Sequence, residues 1–181
     1  MARLPQITTR EDVAPDHRHI VDSIAESRGR ISGPFAMLLH SPEIAGRAAH
    51  LGAYIRFNSI LEPALRELAI ITAAREFDCD YEWGAHERLA RKEGVRDVAI
   101  DVVASRGDLG SLTDDEALVV SYGRELLGDH RVSAATFEKA KNKFGEQGVT
   151  ELTATMGYYG LLACALNAFE VEPTSDMARL P

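Results

Sequence analysis

The sequence predicts an all-α protein of one domain, and three observations carry that prediction. Nearly every segment repeats its apolar residues at helical spacing, and no run sustains the apolar/polar alternation of a strand. Proline and glycine fall where helices start and stop. The 181 residues are 45% hydrophobic and 27% charged, enough to build a core and unlike a disordered chain.

Residues 1–14 read as an N-terminal arm, 15–172 as the helical domain and 173–181 as a C-terminal tail. A first helix from Pro15 to Arg28 is apolar at Ile20, Val21, Ile24 and Ala25 and stops at Gly29. Pro34 opens a short helix to His40. Ser41 and Pro42 then begin another that runs to Phe57. Pro63 to Phe77 is apolar on a broad face, which predicts burial. Asp78 is read as the N-cap of a helix from Cys79 to Lys92, closed by Gly94. A short helix follows over Arg96 to Ser105. Thr113 and Glu116 form a capping box for a helix to Leu127. Two helices, Ser133 to Phe144 and Thr150 to Ala168, complete the set. The last is apolar on nearly every side, which predicts a place in the core or between subunits. Met-Ala-Arg-Leu-Pro occurs at both residues 1–5 and 177–181, too short for a structural repeat.

The net charge is −8, and the longest basic run is the pair Arg91-Lys92. Nucleic acid and anionic membrane both demand a basic face, so neither is an expected partner. Cys79 and Cys164 lie far apart in the chain and suggest no disulfide scaffold, which makes a reducing cytoplasm the expected compartment. No signal peptide is read at the N-terminus, and the apolar run from Met156 to Phe169 is too short for a membrane span. Phosphate-binding loops, dinucleotide fingerprints and nucleophile elbows are absent from the sequence, which removes most nucleotide-dependent chemistry.

The segment Cys79-Asp80-Tyr81-Glu82-Trp83-Gly84-Ala85-His86 carries the chemistry. Cys79, Glu82 and His86 are spaced i, i+3 and i+7 and share one helical stripe. Glu82 and His86, at i and i+4, are close enough for the carboxylate to hold or polarise the imidazole, the minimum for general acid–base work. Glu67, on the preceding helix, meets the same stripe if the two helices pair antiparallel. The plainer readings are a helix-dipole role for Glu82, a bonded core histidine for His86, an inter-helix ion pair for Glu67 and a small apolar filler for Cys79. Asp78, Asp80 and Glu82 surround Cys79 with negative charge, which opposes the thiolate that a helix N-terminus favours. Tyr81, His40 and Tyr158 are candidates to line a pocket, with Tyr159 and Asn167 on its far wall. Arg75, with Arg56 and Arg66, is a candidate to meet a substrate carboxylate. No pair of histidines at metal-ligand spacing supports a metal site.

Arg66-Glu67-Leu68-Ala69-Ile70 followed by Asp78 to His86 resembles the signature of the carboxymuconolactone decarboxylase and alkylhydroperoxidase D superfamily. The resemblance covers roughly residues 41–95 and implies an alkylhydroperoxidase D-like helical bundle. It also implies a homo-oligomer, a trimer or hexamer. In the alkylhydroperoxidase D branch a Cys-x-x-Cys pair precedes the histidine; here Glu67, Cys79 and His86 fall at the matching positions and Glu82 replaces the second cysteine. Two thiols are needed to cycle through an intramolecular disulfide, so the motif does not support that mechanism. The resemblance implies instead a lyase that needs no cofactor and acts on a small carboxylated or lactone ring. His86 would relay the proton, Glu82 would fix its tautomer and Glu67 would complete the relay. A one-cysteine peroxidase using Cys79 and a non-catalytic binding oligomer are the alternatives.

Overall fold

A computed structural model describes residues 2–181, and among them there is no strand. Eight helices follow in order: α1 Arg18–Arg28, α2 Pro34–Leu38, α3 Pro42–Phe57, α4 Pro63–Glu76, α5 Asp80–Lys92, α6 Asp97–Ser105, α7 Asp114–Leu127 and α8 Ala134–Ala168. Short 3-10 turns stand at Arg10–Asp12, Pro15–His17 and Leu109–Ser111. The chain packs as two compact units. One runs through Ser59 and takes up Leu162–Glu172; the other is Ile60–Leu161 with Pro173–Pro181.

In the first unit, α1 buries Ile20, Val21 and Ile24 and packs on α3, whose inward residues are mostly alanine and glycine. Small residues there let the two helices approach closely. The arm is less free than its sequence suggests. Ile7 and Val13 are buried, and Ile7 N–H bonds the Ala36 carbonyl at 3.0 Å.

The second unit is built around α4, which packs against α5, α6 and α7. Every residue of α4 from Glu67 to Ala74 is buried, so this helix is apolar all round and Glu67 is the one ionisable group in that run. Arg75 ties α4 to α6, with its Nε donating to the Ala104 carbonyl at 2.7 Å. The capping box of α7 is present: Thr113 Oγ1 accepts from Glu116 N–H, and the Glu116 carboxylate accepts from Thr113 N–H at 2.8 Å. That carboxylate is also paired with Arg96.

The turn between α4 and α5 differs from the sequence expectation. Asp78 is not the N-cap; it is left-handed, with φ 46°, and Cys79 takes the cap position. Asp78 N–H bonds the Arg75 carbonyl and Cys79 N–H bonds the Ala74 carbonyl, the paired bonds of a Schellman ending. Aspartate tolerates this backbone because its short polar side chain finds partners, here Arg75 and Arg106. The result is a three-residue connection between two adjacent helices. The last two expected helices also meet sooner than the sequence suggests. Gly145, with φ 70° and ψ 178°, kinks α8, and no loop of several residues separates its two parts.

The C-terminal segment straps α5. Asp80 accepts from Leu180 N–H at 2.9 Å and lies 3.4 Å from the Arg179 guanidinium. One turn on, a Cβ at Gly84 would stand 2.6 Å from the Ala178 carbonyl oxygen and 2.7 Å from Met177 Cβ. Only glycine fits beneath the strap. Gly84→Ala is therefore expected to destabilise the fold by about 1–3 kcal/mol through overpacking, despite the roughly 1 kcal/mol that alanine gains in helix propensity. Urea unfolding measures it, and a gain in stability would show that the strap yields freely.

Candidate active site

The four acid, imidazole and thiol candidates all belong to the second unit. Glu67 comes from the middle of α4; Cys79 caps α5, and Glu82 and His86 follow on its inner stripe. Glu67, Cys79, Glu82 and His86 are all buried, although three of the four are ionisable polar groups of the kind that surfaces normally hold.

The acid that bonds the imidazole is Glu67, across the helix pair, rather than Glu82 one turn away. His86 Nδ1–H donates to Glu67 Oε2 at 2.8 Å. The opposite ring nitrogen, Nε2, faces Glu82 Oε2 at 3.7 Å, within ion-pair range and too long for a hydrogen bond. The imidazole therefore stands between two carboxylates, with its tautomer set by Glu67 and its second nitrogen directed to Glu82. Tyr159 of α8 packs edge-on to the ring, with centroids 4.9 Å apart and planes at 82°. Tyr158, preferred as a pocket residue from the sequence, lies against Tyr159 at 5.3 Å, so Tyr159 is the tyrosine in ring contact with His86.

Cys79 is fully buried, and burial dominates its ionisation. Removal from water pushes the thiol up to about 11, helped by the negative charge of Glu82 and Asp80. The backbone N–H groups of Glu82 and Tyr81 oppose the rise without cancelling it. Burial thus outweighs the helix N-terminus, which the sequence alone left undecided.

The other candidates are placed differently. Tyr81 is partly buried in the first turn of α5. The Arg75 guanidinium is held through Nε by the Ala104 carbonyl and through Nη1 by Asp78. Arg56 lies over the Phe57 ring in the first unit, while Arg66 of α4 keeps a buried Nε with no hydrogen-bond partner. His40 belongs to the first unit, where its Nε2 donates to the Pro5 carbonyl at 2.8 Å and holds the N-terminal arm. Among the described residues, no group of three or more His, Cys, Asp or Glu side chains is placed to hold a metal ion.

Residues 42–112, which include Glu67, Cys79, Glu82 and His86, match the sequence profile of the Carboxymuconolactone decarboxylase family. Over this segment the chain is similar to the carboxymuconolactone decarboxylase family. No curated protein sequence matches the chain. Among solved structures, an uncharacterized peroxidase-related protein from Ralstonia eutropha, described as an alkylhydroperoxidase AhpD core, superposes with a TM-score of 0.78. It is 17% identical, with 97% of this chain and 93% of that one covered. An uncharacterized peroxidase-related protein from Silicibacter sp. gives 0.74 at 12% identity, over 97% and 95% of the two chains. A putative antioxidant defence protein AhpD from Agrobacterium tumefaciens gives 0.66 at 14% identity, over 76% of this chain and 94% of that one. At these identities the likeness is one of fold: the chain has the alkylhydroperoxidase D-like helical fold.

The raised thiol gives the segment a measurable signature. The folded state holds the Cys79 proton more tightly than the unfolded chain does. The stability tied to that burial is present below about pH 9 and is lost as pH climbs toward about 11. Alkylation with iodoacetamide is expected to modify the exposed Cys164 while Cys79 stays unmodified near neutral pH. The Cys79 rate then rises about tenfold per pH unit up to pH 10. A plateau near pH 8 would show that burial does not govern this thiol.

Proposed function

We propose that the chain is an acid–base enzyme of the carboxymuconolactone decarboxylase kind, acting without a cofactor on a small carboxylated or lactone ring. The observation that carries this reading is the Glu67–His86 bond, which fixes a buried imidazole so that one nitrogen is held and the other is directed into the site. In a decarboxylation the carbon–carbon bond breaks, carbon dioxide leaves, and its electron pair stays on the ring as a dienolate. Protonation of that carbon completes the reaction. The His86 imidazolium delivers the proton from Nε2, the Glu67 carboxylate on Nδ1 stabilises the imidazolium's positive charge before the transfer, and Glu82 passes a proton taken up from water back to Nε2. The same pair serves an isomerase or hydrolase step on a related ring. Arg66 is the arginine left to meet a substrate carboxylate, because its buried Nε has no partner while Arg75 is engaged elsewhere.

A homo-oligomer, a trimer or hexamer, belongs to the same proposal. It is supported by four large apolar side chains on α3 that face solvent: Ile44, Leu51, Tyr54 and Phe57.

A second reading is favoured by the peroxidase-related descriptions of two similar structures. Here the Cys79 thiolate attacks a peroxide oxygen and becomes a sulfenic acid, an alcohol or water leaves, and an external thiol restores the cysteine. The raised Cys79 pKa opposes it, since the thiolate fraction near neutral pH is on the order of one in ten thousand.

Turnover of carboxymuconolactone is the deciding measurement. His86→Gln and Glu67→Gln are each expected to lower kcat by about 10²- to 10⁴-fold, with Glu82→Gln showing a loss in the same direction. Rates like the wild type in His86→Gln would end the acid–base reading. A sulfenic acid on Cys79 after peroxide treatment, seen by mass spectrometry, would move the assignment to the peroxidase.

A further inference from the structure

Thr155 sits on α8, four residues before Tyr159, and is fully buried. A helix turns about 100° per residue, so the two side chains lie some 40° apart on one face. Helical side chains lean toward the N-terminus, which brings the Tyr159 ring over the turn that carries Thr155. That ring is the one packed against His86 at 4.9 Å. Thr155 therefore shares a face of α8 with the tyrosine that contacts His86.

Its bonding sets it apart. Buried or exposed, threonines in helices normally return their hydroxyl to the carbonyl four residues back. Thr72 does so to Leu68, Thr150 to Glu146 and Thr153 to Val149, each at 2.7 Å. Thr155 Oγ1 has no hydrogen-bond partner in the protein, although its residue is wholly enclosed. A buried hydroxyl without a partner destabilises a fold, and an apolar residue of the same shape would avoid the cost. Such a group held beside an acid–base pair is the mark of a site that gives up stability for recognition.

We propose that the Thr155 hydroxyl is a substrate-binding group of the Glu67–His86–Glu82 site, donating a hydrogen bond to a carboxylate or lactone carbonyl oxygen. The inference rests on the active-site reading above and adds a contact from outside the family segment, on a helix that the motif does not include. A hydroxyl can donate as well as accept, and in this reading it donates to the ligand oxygen, with the Tyr159 ring on the same face of α8.

The test pairs Thr155→Val, which removes the hydroxyl and keeps the shape, with Thr155→Ser, which keeps the hydroxyl. Full-length proteins are titrated with carboxymuconolactone, benzoate and γ-butyrolactone, reading the His86 ring-proton resonance, and each variant is melted. Probes that perturb His86 in the wild type are expected to bind at least tenfold more weakly to Thr155→Val and within about twofold to Thr155→Ser. Thr155→Val is expected to melt about 2–4 °C higher than the wild type. Equal affinity in the valine variant, or a melt that is unchanged or lower, would overturn the assignment. If no probe perturbs His86 even in the wild type, the proposed substrate class fails with the active-site reading on which it rests. That outcome overturns the assignment of Thr155 as a substrate-binding group whatever the melt shows, because a raised melt reports only the cost of the unpartnered hydroxyl.

Discussion

The bond between His86 Nδ1 and Glu67 Oε2 constrains the second unit more than any other single contact. Glu67 sits in a helix whose neighbouring residues are buried on all sides, a position in which an unpaired carboxylate would be prohibitively costly. The imidazole makes that position tenable only if α4 and α5 approach within hydrogen-bond reach with the right faces turned inward. The connection between them is accordingly short and stiff, closed by the paired Ala74 and Arg75 carbonyl bonds and locked by Asp78 with Arg75 and Arg106. Removing either partner of such a pair leaves the other buried without compensation, so the stability of the second unit depends on this one contact.

Other features of the site follow from holding the imidazole there. With Nδ1 committed to Glu67, the remaining ring nitrogen is Nε2, which faces Glu82 at 3.7 Å, so Glu67 rather than Glu82 orients the ring. Tyr159 limits rotation of the ring by packing on its face, an aromatic contact that carries no charge into the site. Cys79, one turn before Glu82 on the same stripe, stays a neutral thiol because two carboxylates and full burial both disfavour the thiolate. The stripe that supplies a disulfide pair in a dithiol enzyme thus supplies a carboxylate and a neutral thiol here.

Local signals in the sequence revealed most of the helices, because period, prolines and the Thr113 capping box act over a few residues. Pro42 to Phe57 and the capped helix to Leu127 coincide with the structure for that reason. The misplacements share a cause as well. Asp78 before a helix reads as an N-cap, and only its left-handed backbone shows that it ends α4 instead. Glu82 looks like the partner of His86 because i and i+4 are visible in one dimension, whereas the bond to Glu67 depends on how two helices pack. Arg75 and His40 were plausible by residue type, yet Ala104 and Pro5 carbonyls claim their donors, and backbone acceptors leave no trace in a sequence pattern. Thr155 carries no sequence signal at all, since its distinction is a bond it does not make.

The repeated Met-Ala-Arg-Leu-Pro shows how far context outweighs identity. At residues 3–5 the arginine reaches the Ala168 carbonyl and Glu170 on an exposed surface, and Leu4 is 36% exposed. At residues 177–181 the same sequence lies along α5, where Arg179 and Leu180 N–H meet Asp80, Leu180 packs against the core cluster and Ala178 occupies space that a Cβ on Gly84 would take. Asp80 and Gly84 are each two residues from Glu82 or His86, about 200° around the helix, so the strap bears on the face of α5 turned away from the active stripe. The helix that carries the chemistry is therefore held from both sides, by Glu67 on the inner face and by the C-terminal segment on the outer one. Support from both sides keeps the Glu67–His86 bond in register, because hydrogen-bond geometry does not survive a displacement of about an ångström.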